Sequence, residues 1–213
     1  SFLKSKYKVA TLSRGYGRDS KGFIIADLQA TSQDIGDEPL QLFNKFKDIT
    51  VAVDADRQNG LNLLKKSKPF IDVVLLDDAF QHRKVSAGFN ILLTAYDQLY
   101  CHDYVLPTGN LREPKSGAKR AQAIVVTKSP EGLSHEHKSS IIEQLNPEPN
   151  QEVFFSSIQY SDVLMSLTSR HSVTDLKAVR FTLVTGIANP APLVTHLKSI
   201  GLDFDHLEFK DHH

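Results

Sequence analysis

Two adjacent carboxylates, Asp77 and Asp78, close the apolar run Val73–Leu76, and Gln81, His82 and Arg83 come just after them. An apolar run this short, rich in β-branched residues and bounded by charge, predicts a buried parallel strand. Carboxylates where such a strand ends put negative charge at the crevice in which α/β sheets bind ligands. That is the setting of a Walker-B-type Mg²⁺ site in phosphoryl-transfer proteins. Mg²⁺ takes one or two protein carboxylates with waters and phosphates, so the pair suffices. Neighbouring strand residues point to opposite faces, so both can serve one ion only if the chain turns between them. The alternative is a solvated acidic strand end.

Three other stretches carry chemistry. Ser13-Arg14-Gly15-Tyr16-Gly17-Arg18 offers two glycines for close backbone approach and forked guanidinium donors for phosphate or carboxylate. It is equally a tight surface turn with solvated arginines. Asp37, in Gly36-Asp37-Glu38-Pro39, is either a general base facing the crevice or an acid suited to a helix N-terminus. Arg112, in a loop with two prolines, is either a phosphate clamp or a salt-bridged surface residue. His82 lacks a second His or Cys at ligand spacing, which argues against zinc. No G-x-S-x-G elbow supports nucleophilic catalysis, and no G-x-x-x-x-G-K-[ST] loop occurs in the chain.

The elements that must position these residues alternate in type. Strands are expected at Tyr7–Ser13, Phe23–Ala26, Ile49–Val53, Val73–Leu76, Asn90–Thr94 and Ala123–Thr127, with helices at Leu40–Phe46, Leu61–Lys66 and Glu136–Leu145. Asn59-Gly60 predicts a turn. The alternation argues a parallel sheet covered on both faces. Beyond Asn146-Pro147-Glu148-Pro149-Asn150 the composition changes. Val153–Val163 and Ser172–Val179 read as extended, and Arg180–Thr185 restarts the α/β pattern with a helix to Ile200 and a short last strand. The boundary is expected near Glu152, giving domains 1–152 and 153–213.

At 213 residues the chain can bury a proper core. Its 25 basic residues balance 25 acidic ones, so no global positive field suggests a nucleic-acid partner. One cysteine, Cys101, rules out an internal disulfide framework and suits a reducing compartment. No apolar run approaches the ~20 residues of a membrane span, which predicts a soluble chain.

Taken together, LSRGYGR (Leu12–Arg18), GDEP (Gly36–Pro39), VAVDADRQNG (Val51–Gly60), LLDDAFQHR (Leu75–Arg83), LPTGNLREP (Leu106–Pro114), VVTK (Val125–Lys128), TGIANP (Thr185–Pro190) and the closing DHH are similar, in content and order, to the tetraacyldisaccharide 4′-kinases, the lipid A 4′-kinases of Gram-negative bacteria. The resemblance implies a P-loop-NTPase-like α/β fold with a mostly parallel sheet, helices on both faces, and the start of a smaller C-terminal α/β domain. It implies a kinase that moves the γ-phosphoryl group of ATP, with Mg²⁺, to the 4′-hydroxyl of a lipid A disaccharide 1-phosphate precursor at the cytoplasmic face of the bacterial inner membrane. On this resemblance Asp77 and Asp78 handle Mg²⁺ with Gln81 close by. Asp37 is the base for the sugar hydroxyl, His212 of the DHH motif pairs with it, and Arg112 meets phosphate charge. Ser13, Arg14 and Arg18 shape the substrate end and complete the ligand-binding set. The family's Walker A loop and its hydrophobic membrane anchor, expected before Tyr7, are absent from the sequence, and the family's chain continues past DHH. The expectation is therefore a fragment that binds nucleotide poorly, from a parent that is a kinase. The rival classes are a P-loop-type ATPase or GTPase with another substrate, and a non-catalytic binding domain.

Overall fold

A computed structural model describes residues 2–166 and 169–210. The chain forms two compact units that meet in sequence between Ser157 and Ile158.

The first unit opens with β1 (Val9–Ser13), β2 (Ile24–Ile25), α1 (Ser32–Ile35), α2 (Asp37–Lys45), β3 (Thr50–Val53), α3 (Arg57–Ser67) and β4 (Val73–Leu76). Its first sheet has the order β2-β3-β1-β4. β1 runs parallel to β3 and β4, with Leu12 opposite both Ala52 and Leu76, and β2 lies antiparallel on the edge. Every residue of β1 is buried, the signature of a central parallel strand. Ala10, Leu12, Ala52 and Leu64 form its core, with Leu61, Ile71, Val74 and Leu76 packed against them. Because the three strands run the same way, Ser13, Val53 and Leu76 end at one edge of the sheet.

Helix α3 begins four residues earlier than its apolar pattern suggests, and Asn59-Gly60 lies inside it rather than in a turn. The Asp56 carboxylate caps it, accepting from the backbone N–H of Gln58 at 3.0 Å and of Asn59 at 3.2 Å. Gly60 is needed for packing: a Cβ there would sit 2.9 Å from Cβ of Asp54 and 3.0 Å from the Leu12 side chain. The dipeptide signals a turn only where the backbone is free to make one.

The second sheet is all parallel: β5 (Ile91–Ala95), β6 (Ala123–Thr127) and β7 (Glu152–Phe155), in that order. Helix α4 (His135–Leu145) follows β6 and brings Ile141 and Leu145 onto Ile124 and Val126. Fully burying such a side chain contributes about 1.5–3 kcal/mol. The opposite face carries Ile91, Leu93 and Phe154, which stay exposed. β7 explains why the first unit extends to Ser157 and not to Glu152: its residues pair with Ala123–Val126 and cannot leave that sheet.

In the second unit β8 (Val163–Met165) pairs antiparallel with β9 (Arg170–Ser172). β10 (Phe181–Thr185), α5 (Ala191–Ser199) and β11 (Phe204–Glu208) form a parallel β–α–β unit. Residues Val173–Ala178, expected to be extended, make a 3-10 turn instead. Ser172 and Asp175 form a reciprocal capping box, the Ser172 N–H donating to Asp175 Oδ2 at 3.0 Å. Two polar residues at that spacing outweigh the β propensity of their neighbours.

Candidate active site at the strand ends

The carboxylate pair sits where β4 stops. The Asp77 N–H still donates to Leu12 O at 3.1 Å, continuing the ladder, but Asp78 has φ 43. A positive φ is uncommon for a non-glycine residue, and aspartate tolerates it better than most. The turn therefore falls between the two carboxylates and releases them from strand alternation. Asp77 and Asp78 are exposed on it, and Gln81 is exposed on the turn that follows, closed by the His82 N–H donating to Ala79 O at 2.8 Å. Two oxygen donors on one exposed turn, with open positions for phosphate and water, fit Mg²⁺.

Arg112 reaches the same turn. Its Nη1 lies 3.0 and 3.3 Å from the two carboxylate oxygens of Asp78. The side chains are 63% and 67% exposed, so the pair is worth only about 0–1 kcal/mol and opens readily to a competing ligand. The neighbouring Glu113 is the anchor of the Arg112 loop. It accepts from Arg120 Nη2 at 2.8 Å and from Arg83 Nη2 at 3.0 Å. The hydrogen bond from Arg120 is the main reason its carboxyl is held below the usual glutamate range, with Arg83 adding to the effect and partial burial opposing it. Arg120 also donates to Phe80 O at 3.1 Å and lies 4.6 Å from that ring's centroid. One arginine thus ties the Arg112 loop to the residue two places after Asp78.

Asp37 is the first residue of α2, exposed, in the turn where the helix dipole favours negative charge. Gly36, just before it, has φ 89 and ψ 160, and a Cβ there would stand 2.8 Å from Tyr16 O. Backbone packs on backbone at this point, which sets Asp37 beside the Arg14–Arg18 loop. Arg18 donates Nη2 to Gly22 O at 2.8 Å, while its Nη1 is buried with no partner. Burial is the main cause of its lowered pKa, with the charge of Asp54 opposing it. Ser13 Oγ, at the end of β1, is also buried without a partner. Arg14 is exposed. His212 lies outside the described residues.

Three residues of the site carry no role in the sequence reading: Asp54, Arg57 and Arg120. Asp54 is 3% exposed and accepts from Asn59 Nδ2 at 2.7 Å and from the Asp56 N–H at 3.0 Å. Arg57 is equally buried; Nη1 donates to Asp54 O at 2.7 Å and Nη2 to Asp77 O at 3.1 Å. Burial lowers its pKa most, and the charge of Arg14 lowers it further, while Asp77, Asp78 and Asp54 raise it. One signal for Arg57 is present in the sequence. A cation in the first turn of a helix opposes the dipole, so its presence there implies another duty.

The whole chain, residues 1–213, matches the family model for tetraacyldisaccharide-1-P 4′-kinase, LpxK. It is 47% identical to the tetraacyldisaccharide 4′-kinase of Flavobacterium johnsoniae over 99% of this chain and 62% of that protein. It is 45% identical to the enzyme of the same name from Bacteroides thetaiotaomicron, over 99% of this chain and 58% of that protein. The crystal structure of an "apo" form of LpxK from Aquifex aeolicus in complex with ATP superposes with a TM-score of 0.78 at 28% identity, over 100% of this chain and 64% of that one. The chain spans about three fifths of the length of the curated relatives it matches. On the family match over residues 1–213 and this superposition, the chain belongs to the tetraacyldisaccharide-1-P 4′-kinase family.

Proposed function

We propose that the intact protein transfers the γ-phosphoryl group of ATP to the 4′-hydroxyl of a tetraacyldisaccharide 1-phosphate, a lipid A precursor. The observation that carries this reading is the turn at Asp78, which frees two adjacent carboxylates from strand alternation beside Arg112. Asp77 and Asp78 would hold Mg²⁺, with Gln81 on the next turn, and the ion would supply charge neutralisation at the transferred phosphoryl group. Arg112 exchanges Asp78 for phosphate oxygens. Asp37 takes the proton of the sugar hydroxyl as its oxygen bonds to the γ-phosphorus and the bond to the ADP oxygen breaks. His212 supports Asp37, on the strength of its motif alone. Ser13, Arg14 and Arg18 receive the acceptor, and two of the buried side-chain atoms without partners, Ser13 Oγ and Arg18 Nη1, are donors suited to its phosphate or sugar oxygens. A lipid acceptor with ATP as the donor is the basis for proposing that the work is done at the cytoplasmic face of the inner membrane.

The test is phosphate transfer from labelled ATP to the disaccharide lipid. The wild type is expected to yield the 4′-phosphate, and Asp37→Asn to lose on the order of 10²–10⁴ in kcat, the contribution of a general base. ATP hydrolysis indifferent to the lipid would favour a nucleotidase of another class. Unchanged transfer by Asp37→Ala and Asp77→Ala would leave a non-catalytic binding role.

A further inference from the structure

A guanidinium buried as deeply as Arg57 is a costly way to fill space. Desolvating it costs several kcal/mol, and an apolar side chain of similar volume would serve stability as well or better. Arg57 therefore invites the question of what its charge and its fork achieve. Its two bonds go to main-chain oxygens at the ends of two strands, Asp54 O after β3 and Asp77 O after β4. The backbone of Asp77 is consequently held on both sides, its N–H by Leu12 O and its carbonyl by Arg57. The next residue is Asp78, in the left-handed region. Helix α3 is fixed in turn by the Asp56 cap and by the bond from Asn59 to Asp54. The clamp thus rests on a framework that cannot shift independently of the strands.

We propose that Arg57 is the positioning residue of the carboxylate pair. By gripping both strand-end carbonyls it fixes where β4 breaks, and so holds the Asp77–Asp78 turn in its metal-binding form. This rests on the reading of Asp77 and Asp78 as the Mg²⁺ ligands. Groups that orient a metal's ligands typically contribute 10- to 100-fold in metal affinity, and Arg57 is expected to fall in that range.

The experiment uses the intact protein with Mn²⁺ as the probe, its binding followed by electron paramagnetic resonance in the presence of ADP. Arg57→Met keeps the volume and removes the fork; Arg57→Lys keeps the charge and reaches one carbonyl at most. The expected result is Mn²⁺ affinity weakened roughly 10- to 100-fold in Arg57→Met, with a smaller loss in Arg57→Lys. The metal concentration for half-maximal turnover should rise in the same order, while KM for the lipid stays put. If Arg57→Met does not fold, the lysine variant carries the test. Unchanged Mn²⁺ affinity in the folded variants overturns the proposal, as does a rise confined to lipid KM, which would put Arg57 on the acceptor. Asp78→Asn separates the two levels. If it too leaves Mn²⁺ binding unchanged, the metal reading beneath the proposal fails. If it abolishes binding that the Arg57 variants keep, only the positioning role fails.

Discussion

Replacing Gly36 by alanine tests whether the Arg14–Arg18 loop and Asp37 are one rigid assembly. Gly36 has φ 89 and ψ 160, a region in which residues other than glycine cost about 1–3 kcal/mol. The added Cβ would also stand 2.8 Å from Tyr16 O and 3.2 Å from Gly15 C, both backbone atoms that cannot rotate away. Overpacking of this kind costs typically 1–3 kcal/mol more. The sum, about 2–6 kcal/mol, is a large share of the roughly 5–15 kcal/mol that holds a domain together. At about 2–4 °C per kcal/mol for a unit of this size, Tm should fall by roughly 5–20 °C. Gly22→Ala is the control. It has a positive φ of 76 but nothing within 4 Å of the added Cβ, so it feels backbone strain alone. Its loss should be about 1–2 kcal/mol. Scanning calorimetry of both variants reads the difference, which belongs to the contact between the loop and α2. Equal losses in the two would mean that no such contact restrains the loop, and the coupling of Asp37 to it would have to be abandoned. A kinase assay adds the functional arm: Gly36→Ala that remains folded should lose on the order of 10² in kcat, because small misplacements of reacting groups are expensive, and Gly22→Ala should not.

Glu113→Gln should destabilise the protein at neutral pH by about 1–3 kcal/mol, since it weakens charge-assisted bonds from Arg120 and Arg83. The sign with pH follows from its lowered pKa: the stabilisation is complete above the ordinary glutamate pKa and is lost as pH falls through the depressed folded value. Acid unfolding curves of wild type and variant should therefore converge at low pH; a gap that persists there refutes this. Arg112→Ala should leave the unfolding free energy within about 1 kcal/mol of wild type, the pair with Asp78 being exposed, yet lower kcat by roughly 10²–10³ as a lost transition-state donor would. A parallel loss of stability would mark Arg112 as structural. Asn59→Ala removes a donor from the buried Asp54 carboxylate and should cost about 1–3 kcal/mol in urea titration, where a cost near zero would mean that the carboxylate is otherwise satisfied.

The strands were legible because apolar runs with charged ends leave little freedom, but their division into separate sheets, β2-β3-β1-β4 and β5-β6-β7 in the first unit, was not. β4 and β6 have the bounds their sequences predict, Val73–Leu76 and Ala123–Thr127. The misreadings share a cause, a local signal overruled by a contact that the local sequence does not contain. Asn59-Gly60 is helical because Asp56 caps the turn before it and Gly60 packs on Leu12 and Asp54. Glu152–Phe155 belongs to the first unit because Ala123–Val126 offers it a ladder. In the site, Asp78 and Arg112 stood out as charge at strand ends and in a proline-bounded loop. The cluster Asp54-Ala55-Asp56-Arg57 was visible as charge too, but its division of labour was not. Asp56 caps a helix, Asp54 accepts from that helix, and Arg57 turns back across two strands. Only the fold decides which of four neighbouring residues points inward.

That division gives the site two layers with opposite mechanical properties. In the inner layer Asp54 and Arg57 are buried, Asn59 reaching in from an exposed position to Asp54, and their bonds are screened by salt much less than exposed ones. Breaking one such partner strands a charge in the interior, which makes the layer stiff. The outer layer, Asp78 with Arg112, is exposed and its pairing is worth little. The proposed phosphoryl-transfer site would need both properties. The backbone that aims the carboxylates must not move when a highly charged ligand arrives, yet the carboxylates and the arginine must trade their mutual contact for the ligand at small cost. Reversing the layers would defeat the chemistry. A buried Asp78–Arg112 pair would have to be broken at several kcal/mol before each turnover, and an exposed Arg57 would let the turn at Asp78 relax toward the strand geometry in which neighbouring carboxylates face apart.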